Sequence, residues 1–328
     1  MLNKNLDILK KILSILARIS ISALLLYFLF RQVDSKSIWD IIKGADWALL
    51  FLGFLINALS YLLGVYRWKM YLDGAGVRLP FKRVLISFSG GLFFNLFLPS
   101  TIGGDVVKGI DLAMHTKKPK EIVASMLLDR LSGYAAMVII SVTAVLLGYH
   151  LINDPIVLLV VGLVTFVLVC AFLTLFNNFI FEKVSKFLNK KGGRIAGALQ
   201  RLHQEIYLFR NRKKLLVKNF LLSMVIQASA PLAFYVIALS LGLKTNIIYF
   251  FILIPVIAAI TMLPVSIGGL GLRDASTIFF FAKVGIDNHV SFAISLLGFF
   301  YILVISVMGG ILYVFTLHSR RLQYRQAG

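Results

Sequence analysis

The sequence predicts an all-α polytopic membrane protein, with six transmembrane helices and two re-entrant helical hairpins in an inverted-topology repeat. Three observations carry that prediction. The 328 residues are 59% hydrophobic and 15% charged, with mean hydropathy +0.89; a soluble domain is about half apolar and a quarter charged. Apolar runs of about 20 residues recur, the length a helix needs to cross the hydrocarbon core. One ten-residue pattern also occurs twice, as Pro99-Ser100-Thr101-Ile102-Gly103-Gly104-Asp105-Val106-Val107-Lys108 and as Pro264-Val265-Ser266-Ile267-Gly268-Gly269-Leu270-Gly271-Leu272-Arg273.

Both copies read Pro-x-[Ser/Thr]-Ile-Gly-Gly-x-x-x-[Lys/Arg], and each follows an apolar run. Proline and paired glycines sit poorly inside a lipid-facing helix. Irregular backbone at membrane depth is tolerated only where protein or a wet cavity covers it. Matched interruptions in two halves of a membrane chain point to a binding site near the bilayer middle. The plainer alternative is that the glycines let two helices pack closely.

The remaining elements follow in order. Residues 1–11 are a basic interfacial lead, and the first helix runs from Ile12 to Phe30. No small-x-small cleavage site follows it, so it reads as a retained helix and not as a removed signal peptide. Residues 31–46 read as a mixed-charge loop. The second helix runs from Trp47 to Tyr66, with Trp47 and Trp68 at interface depth. Asn57, Ser60, Tyr61 and Gly64 share one face of it and should point into the bundle. A basic loop spans 67–83.

The run Val84–Leu98 is roughly 22 Å long as a helix, short of the ~30 Å hydrocarbon core. Residues 84–116 therefore read as a re-entrant hairpin broken at Pro99. A long helix, Ile122 to Leu151, carries Asp129 and Arg130. Asn153-Asp154-Pro155 is a turn, and helix 156–176 returns. The linker 177–218 holds eleven Lys and Arg and reads as amphipathic helices on the membrane surface. Helix 216–241 contains Pro231, so a kink is expected. Residues 247–283 form the second hairpin, helix 290–316 closes the bundle, and 319–328 is a basic tail.

With the N-terminus in the cytoplasm and both hairpins re-entrant, 27 of the 34 Lys and Arg fall in cytoplasmic segments and five outside. That asymmetry sets the orientation. It also explains the net charge of +20, which in a soluble chain would suggest nucleic acid; no nucleic-acid partner is expected. The first repeat is then 1–151 and the second 155–318. Each crosses the membrane three times, so the second is upside down relative to the first. The expected location is the cell membrane, multi-pass, with both termini cytoplasmic. The single cysteine, Cys170, permits no intramolecular disulfide.

These motifs resemble a known family. Arg67-x-x-x-Tyr71-Leu72-x-x-x-Gly76, Leu98-Pro99-Ser100-x-x-Gly-Gly-Asp-x-x-Lys108, Leu128-Asp129-Arg130 and Leu263-Pro264-x-x-x-Gly-Gly-x-Gly-x-Arg273 look like the lysylphosphatidylglycerol synthase transmembrane-region family, also called flippase-like. The resemblance covers nearly the whole chain. It implies lipid translocation: in the bifunctional members this domain moves aminoacylated phospholipid between leaflets, and some relatives are linked to polyprenyl-lipid glycan pathways. Here about ten residues follow the last helix, without room for an aminoacyltransferase. The resemblance therefore does not specify a lysyl lipid. A separate lipid-modifying synthase or glycosyltransferase is the expected partner.

A phosphate headgroup in low dielectric needs cations and backbone N–H donors. The breaks at Gly103-Gly104 and Gly268-Gly269 should expose half-helix N-termini, with Lys108 and Arg273 about one turn in. Asp105 should open the first half-helix as a cap, or bind a co-transported cation. Asp129 and Arg130 are intramembrane ionisable groups, hence functional candidates or a structural pair. Asp274 should neutralise Arg273. The substrate-binding set is thus Lys108, Arg130, Arg273, Gly103, Gly104, Gly268, Gly269, Asp105 and Asp129, around an anionic phosphate headgroup.

Enzyme readings find little footing. No His/Cys cluster has metal spacing, no phosphate-binding Gly-x-x-x-x-Gly-Lys-[Ser/Thr] loop is present, and no catalytic residue or cofactor is expected. Two alternatives stay open: a transporter of a small soluble ion or metabolite, and a polyprenyl-phosphate-dependent transferase using Asp105, Asp111 and Asp129.

Overall fold

The computed structural model describes residues 35–98, 101–151, 154–176, 181–183, 212–262, 265–266 and 268–326, with scattered positions between 20 and 27. The predicted first helix lies almost wholly outside the described residues. So do the surface helices expected within 184–211, and Pro99 and Pro264.

All regular structure among the described residues is helical. The helices are α1 (Ser35–Lys43), α2 (Trp47–Gly74), α3 (Phe81–Asn95), α4 (Thr101–Thr116), α5 (Pro119–Gly148), α6 (Pro155–Phe176), α7 (Lys213–Ser240), α8 (Ile247–Thr261), α9 (Leu272–Ala282) and α10 (Asn288–Gln326). A 3-10 turn, Tyr149–Leu151, extends α5. The segments Trp47–Gly74, Pro119–Leu151, Lys213–Ser240 and Asn288–Thr316 are each long and apolar enough to cross a membrane. The 22-residue α6 carries no charge. This is a multi-pass helical membrane protein.

Both expected interruptions are present: α3 ends at Asn95 before α4, and α8 ends at Thr261 before α9. Elsewhere the boundaries shift. The loop expected over 31–46 contains α1, whose Ile38, Ile41 and Ile42 recur at helical spacing and pack on Phe292 and Ala293. The charges of Lys36, Asp40 and Lys43 hid that stripe. The second helix runs past Tyr66 to Gly74, taking in the first part of the expected basic loop. Trp68 is therefore not an interface anchor. It is fully buried and donates its indole N–H to Ser125 at 3.2 Å. Trp47 remains exposed. Gly64 is buried and Asn57, Ser60 and Tyr61 are half-buried, while Leu55, Leu59, Leu62 and Tyr66 face outward.

Helix starts are fixed by local acceptors. Asp46 accepts from Ala48 N–H at 2.8 Å, Asp154 from Ile156, Asn246 from Ile248, and Asp287 from His289. Such caps satisfy donors that the first helical turn leaves open.

The chain divides into two compact units, each drawing on both halves of the sequence. The first comprises Met1–Asn57, Phe88–Lys108 and Pro231–Gly328; the second comprises Ala58–Ser87 and Gly109–Ala230. In the first unit, α10 packs on the end of α3 through small residues. A methyl on Gly90 would lie 2.6 Å from Tyr313, and one on Gly309 would lie 2.8 Å from Ser89. Glycine permits such close approach between membrane helices. Tyr301 of α10 donates its hydroxyl to the Leu50 carbonyl at 2.5 Å. In the second unit, Tyr71, Ala124 and Leu128 form a core with Leu215 and Leu216.

Candidate functional site

The two glycine motifs lie in the same compact unit but are built differently. The first pair does not sit at the interruption. Gly103 and Gly104 are inside α4, which already begins at Thr101. Their role is close packing: a methyl on Gly91 of α3 would fall 2.6 Å from the Gly104 carbonyl oxygen, and one on Gly103 would fall 2.6 Å from Leu98. Gly104 N–H also donates to the Asn95 side chain at 2.7 Å. The last residue of α3 thus supplies an acceptor to the opening of α4. Because α4 starts upstream of the glycines, Asp105 is its fifth residue and does not cap it, and Lys108 lies two turns in, not one.

The second pair is a true backbone break. Gly268, Gly269 and Gly271 have φ of 59°, 77° and 77°, a left-handed region that favours glycine. Gly271 then opens α9. Its N–H donates to Asp274 at 3.1 Å, three residues on. The two interruptions meet: a methyl on Gly268 would lie 3.5 Å from the Leu96 carbonyl and 3.9 Å from that of Asn95.

The motif cations have like surroundings. Lys108 is 5% exposed, 2.9 Å from Asp105, and its ammonium lies 4.6 Å from the centre of the Phe88 ring. Arg273 is 3.0 Å from Asp274, donates to Ser295 at 3.2 Å, and lies 4.7 Å from the centre of the Phe299 ring. Ser295 in turn donates to Asp274 at 2.6 Å. Each motif cation therefore has one carboxylate from its own half-helix and one aromatic face. Asp274 both caps α9 and neutralises Arg273.

Asp129 and Arg130 belong to the other unit, and they are not a pair. The partner of Asp129 is Arg67 on α2, whose Nε–H donates at 2.7 Å, with Asp129 buried and Arg67 partly so. Arg67 also donates to Ser223 on α7 at 3.2 Å, and Gln227 donates to the Gly133 carbonyl at 2.9 Å. Arg130 donates to the Tyr134 hydroxyl one turn along at 2.8 Å. A second buried pair joins Arg83 of α3 to Asp111 of α4 at 2.8 Å, and Ser87 also donates to Asp111.

Arg67, Arg83, Asn95, Ser295 and the two phenylalanines were not singled out from the sequence as contacts of the site. Arg67 had a usable signal. A carboxylate such as Asp129 on an apolar helix needs a cation, and Arg67 continues the helical register of the preceding apolar run.

Comparison with known proteins places the chain among membrane proteins. The chain is 24% identical over 311 residues to a UPF0104 membrane protein of Pyrococcus horikoshii, covering 88% of this chain and 91% of that one. It is 22% identical over 302 residues to a UPF0104 membrane protein of Archaeoglobus fulgidus, covering 83% and 86%. A Methanothermobacter thermautotrophicus UPF0104 membrane protein is 24% identical over 279 residues, covering 77% and 79%. The profile of the lysylphosphatidylglycerol synthase TM region matches residues 15–310. With nearly its whole length matched, this chain belongs to the lysylphosphatidylglycerol synthase transmembrane-region family.

Proposed function

We propose that the protein is a lipid translocase, flippase- or scramblase-like, moving a phosphate-bearing lipid of phospholipid or polyprenyl-phosphate type between leaflets. The observation that carries this reading is the like treatment of Lys108 and Arg273. Arg273 opens α9 just after its interruption and Lys108 lies two turns into α4, and each has a carboxylate of its own helix and an aromatic ring against it. A headgroup oxyanion can take the place of Asp105 or Asp274 as partner, exchanging one charge-assisted bond for another. An aromatic face suits a cation whose counterion changes, because its attraction persists through the exchange. Family membership supports the lipid as cargo.

In this reading the protein sits in the cell membrane with both termini cytoplasmic. It crosses six times, and its two hairpins belong to inverted repeats. It is not an enzyme and uses no cofactor; a separate synthase or glycosyltransferase supplies or consumes the lipid. Arg130 and Asp129 lie in the other unit.

The deciding experiment places purified protein in vesicles containing labelled lipids of differing headgroup and reads leaflet exchange, with and without a proton gradient. Exchange of a phosphate lipid is expected. Exchange of none would favour transport of a soluble solute instead.

A further inference from the structure

The second unit contains two neighbouring hollows that the proposed translocation residues do not touch. One is a recess of about 680 Å³ lined by Met70, Asp73, Gly74, Arg212, Lys213, Lys214 and Leu215. The other is a cavity of about 250 Å³ walled by apolar side chains of α5, α6 and α7, with Tyr71 and Ser132 as its polar members. They adjoin on the same two helices. On α2, Met70 and Gly74 line the recess and Tyr71 the cavity; on α7, Leu215 lines the recess and Leu216 the cavity.

Their chemistries are opposite. The carboxylate of the recess, Asp73, is already held by Lys69 at 2.6 Å, so Arg212, Lys213 and Lys214 set its charge. In the cavity, the Ser132 hydroxyl donates to the Asp129 carbonyl at 3.0 Å and every other lining residue but Tyr71 is apolar, which leaves its wall with little claim on water. An apolar cavity of about 150 Å³ stays dry and takes up benzene, and this one is larger. It extends along α5 from Leu128 to Ile139, about 16 Å by helical rise. Ile139 is 43% exposed, so the cavity borders the outward surface of a membrane-spanning helix, where lipid chains lie.

A basic recess next to an elongated dry cavity matches one occupant, an amphiphile with an anionic head and a hydrocarbon tail. We propose that the second unit holds a resident anionic phospholipid, its headgroup at Arg212, Lys213 and Lys214 and one acyl chain between α5, α6 and α7. This site is distinct from Lys108 and Arg273 and stands whether or not the protein moves lipid.

The test uses full-length protein in phosphatidylcholine nanodiscs and a phosphatidylglycerol probe with a photoreactive diazirine on one acyl chain. Cross-links are expected at Val138, Ile139, Val169 or Phe220. Excess phosphatidylglycerol should compete with them; phosphatidylcholine and glycerol phosphate should not. The triple variant Arg212→Gln, Lys213→Gln, Lys214→Gln should lower labelling about tenfold or more, since each cation near the headgroups contributes about a kilocalorie of attraction. Its changes are on exposed residues, so folding is not at stake. Ile139→Trp, which narrows the chain end, should lower labelling without changing the headgroup preference. Equal labelling by a phosphatidylcholine probe, competition by glycerol phosphate, or labelling unchanged in the triple variant would each overturn the proposal.

Discussion

Arg67 and Asp129 are 62 positions apart in the sequence and 2.7 Å apart in the fold, a largely buried ion pair joining the last third of α2 to α5. Removing one partner of such a pair leaves an uncompensated charge, at a cost of about 3–5 kcal/mol. Arg67→Gln and Asp129→Asn should each lower the thermal midpoint in detergent sharply. The double variant should be less destabilised than the two effects added together. Additive losses in this double-mutant cycle would remove the pair as a unit.

The glycine pairs should answer differently to substitution. Gly104→Ala puts a methyl against the Gly91 backbone and the Asn95 side chain, and backbone cannot step aside. Leaflet exchange should fall more than tenfold. At Gly269 the space is open, with Thr261 3.5 Å from the added carbon, and only the φ of 77° resists. Asparagine tolerates that region better than most residues, so Gly269→Asn should keep most of the activity while Gly269→Val loses it. Equal loss from Gly104→Ala and Gly269→Asn would contradict the division between packing and turn.

The cation set is tested by charge removal. Lys108→Gln, Arg130→Gln and Arg273→Gln should each slow lipid exchange more than tenfold, in line with about 2–5 kcal/mol for truncating a buried charge contact. Arg273→Lys should rescue only in part, because lysine cannot reach Asp274 and Ser295 together with one planar fork. Wild-type exchange by all three glutamine variants, in protein that remains monodisperse, would sink the phosphate-binding role.

Topology is read by accessibility. In a Cys170→Ala background, Lys191→Cys should resist an impermeant thiol reagent added from outside and react after the membrane is opened. Labelling from outside in intact cells would reverse the orientation and with it the inverted repeat.

Class, the interruptions and the long helices were legible because hydropathy and the Pro/Gly signals act locally. The Asp129–Arg130 neighbourhood misled for a geometric reason. Consecutive residues on a helix point about 100° apart, so adjacency in sequence is poor grounds for pairing, and the true partner lay on another helix. Trp68 misled in a similar way, since an indole can satisfy its N–H at a membrane interface or against a buried hydroxyl such as that of Ser125. The duplicated motif concealed its asymmetry because glycine serves two purposes that look identical in sequence. One is room for a neighbouring backbone, as at Gly104; the other is a left-handed turn, as at Gly269.

That asymmetry has a mechanical meaning. The legs of the first hairpin touch backbone to backbone at Gly91 and Gly104 and are stitched by Asn95, which leaves little room for one to shift against the other there. Between α8 and α9, three glycines with positive φ separate the legs, and among the described residues Gly269 has the Thr261 side chain 3.5 Å from an added carbon. The bend of this unit is therefore made at Gly268, Gly269 and Gly271, just before Arg273. The duplicated sequence has given one copy the job of the rigid arm and the other that of the elbow.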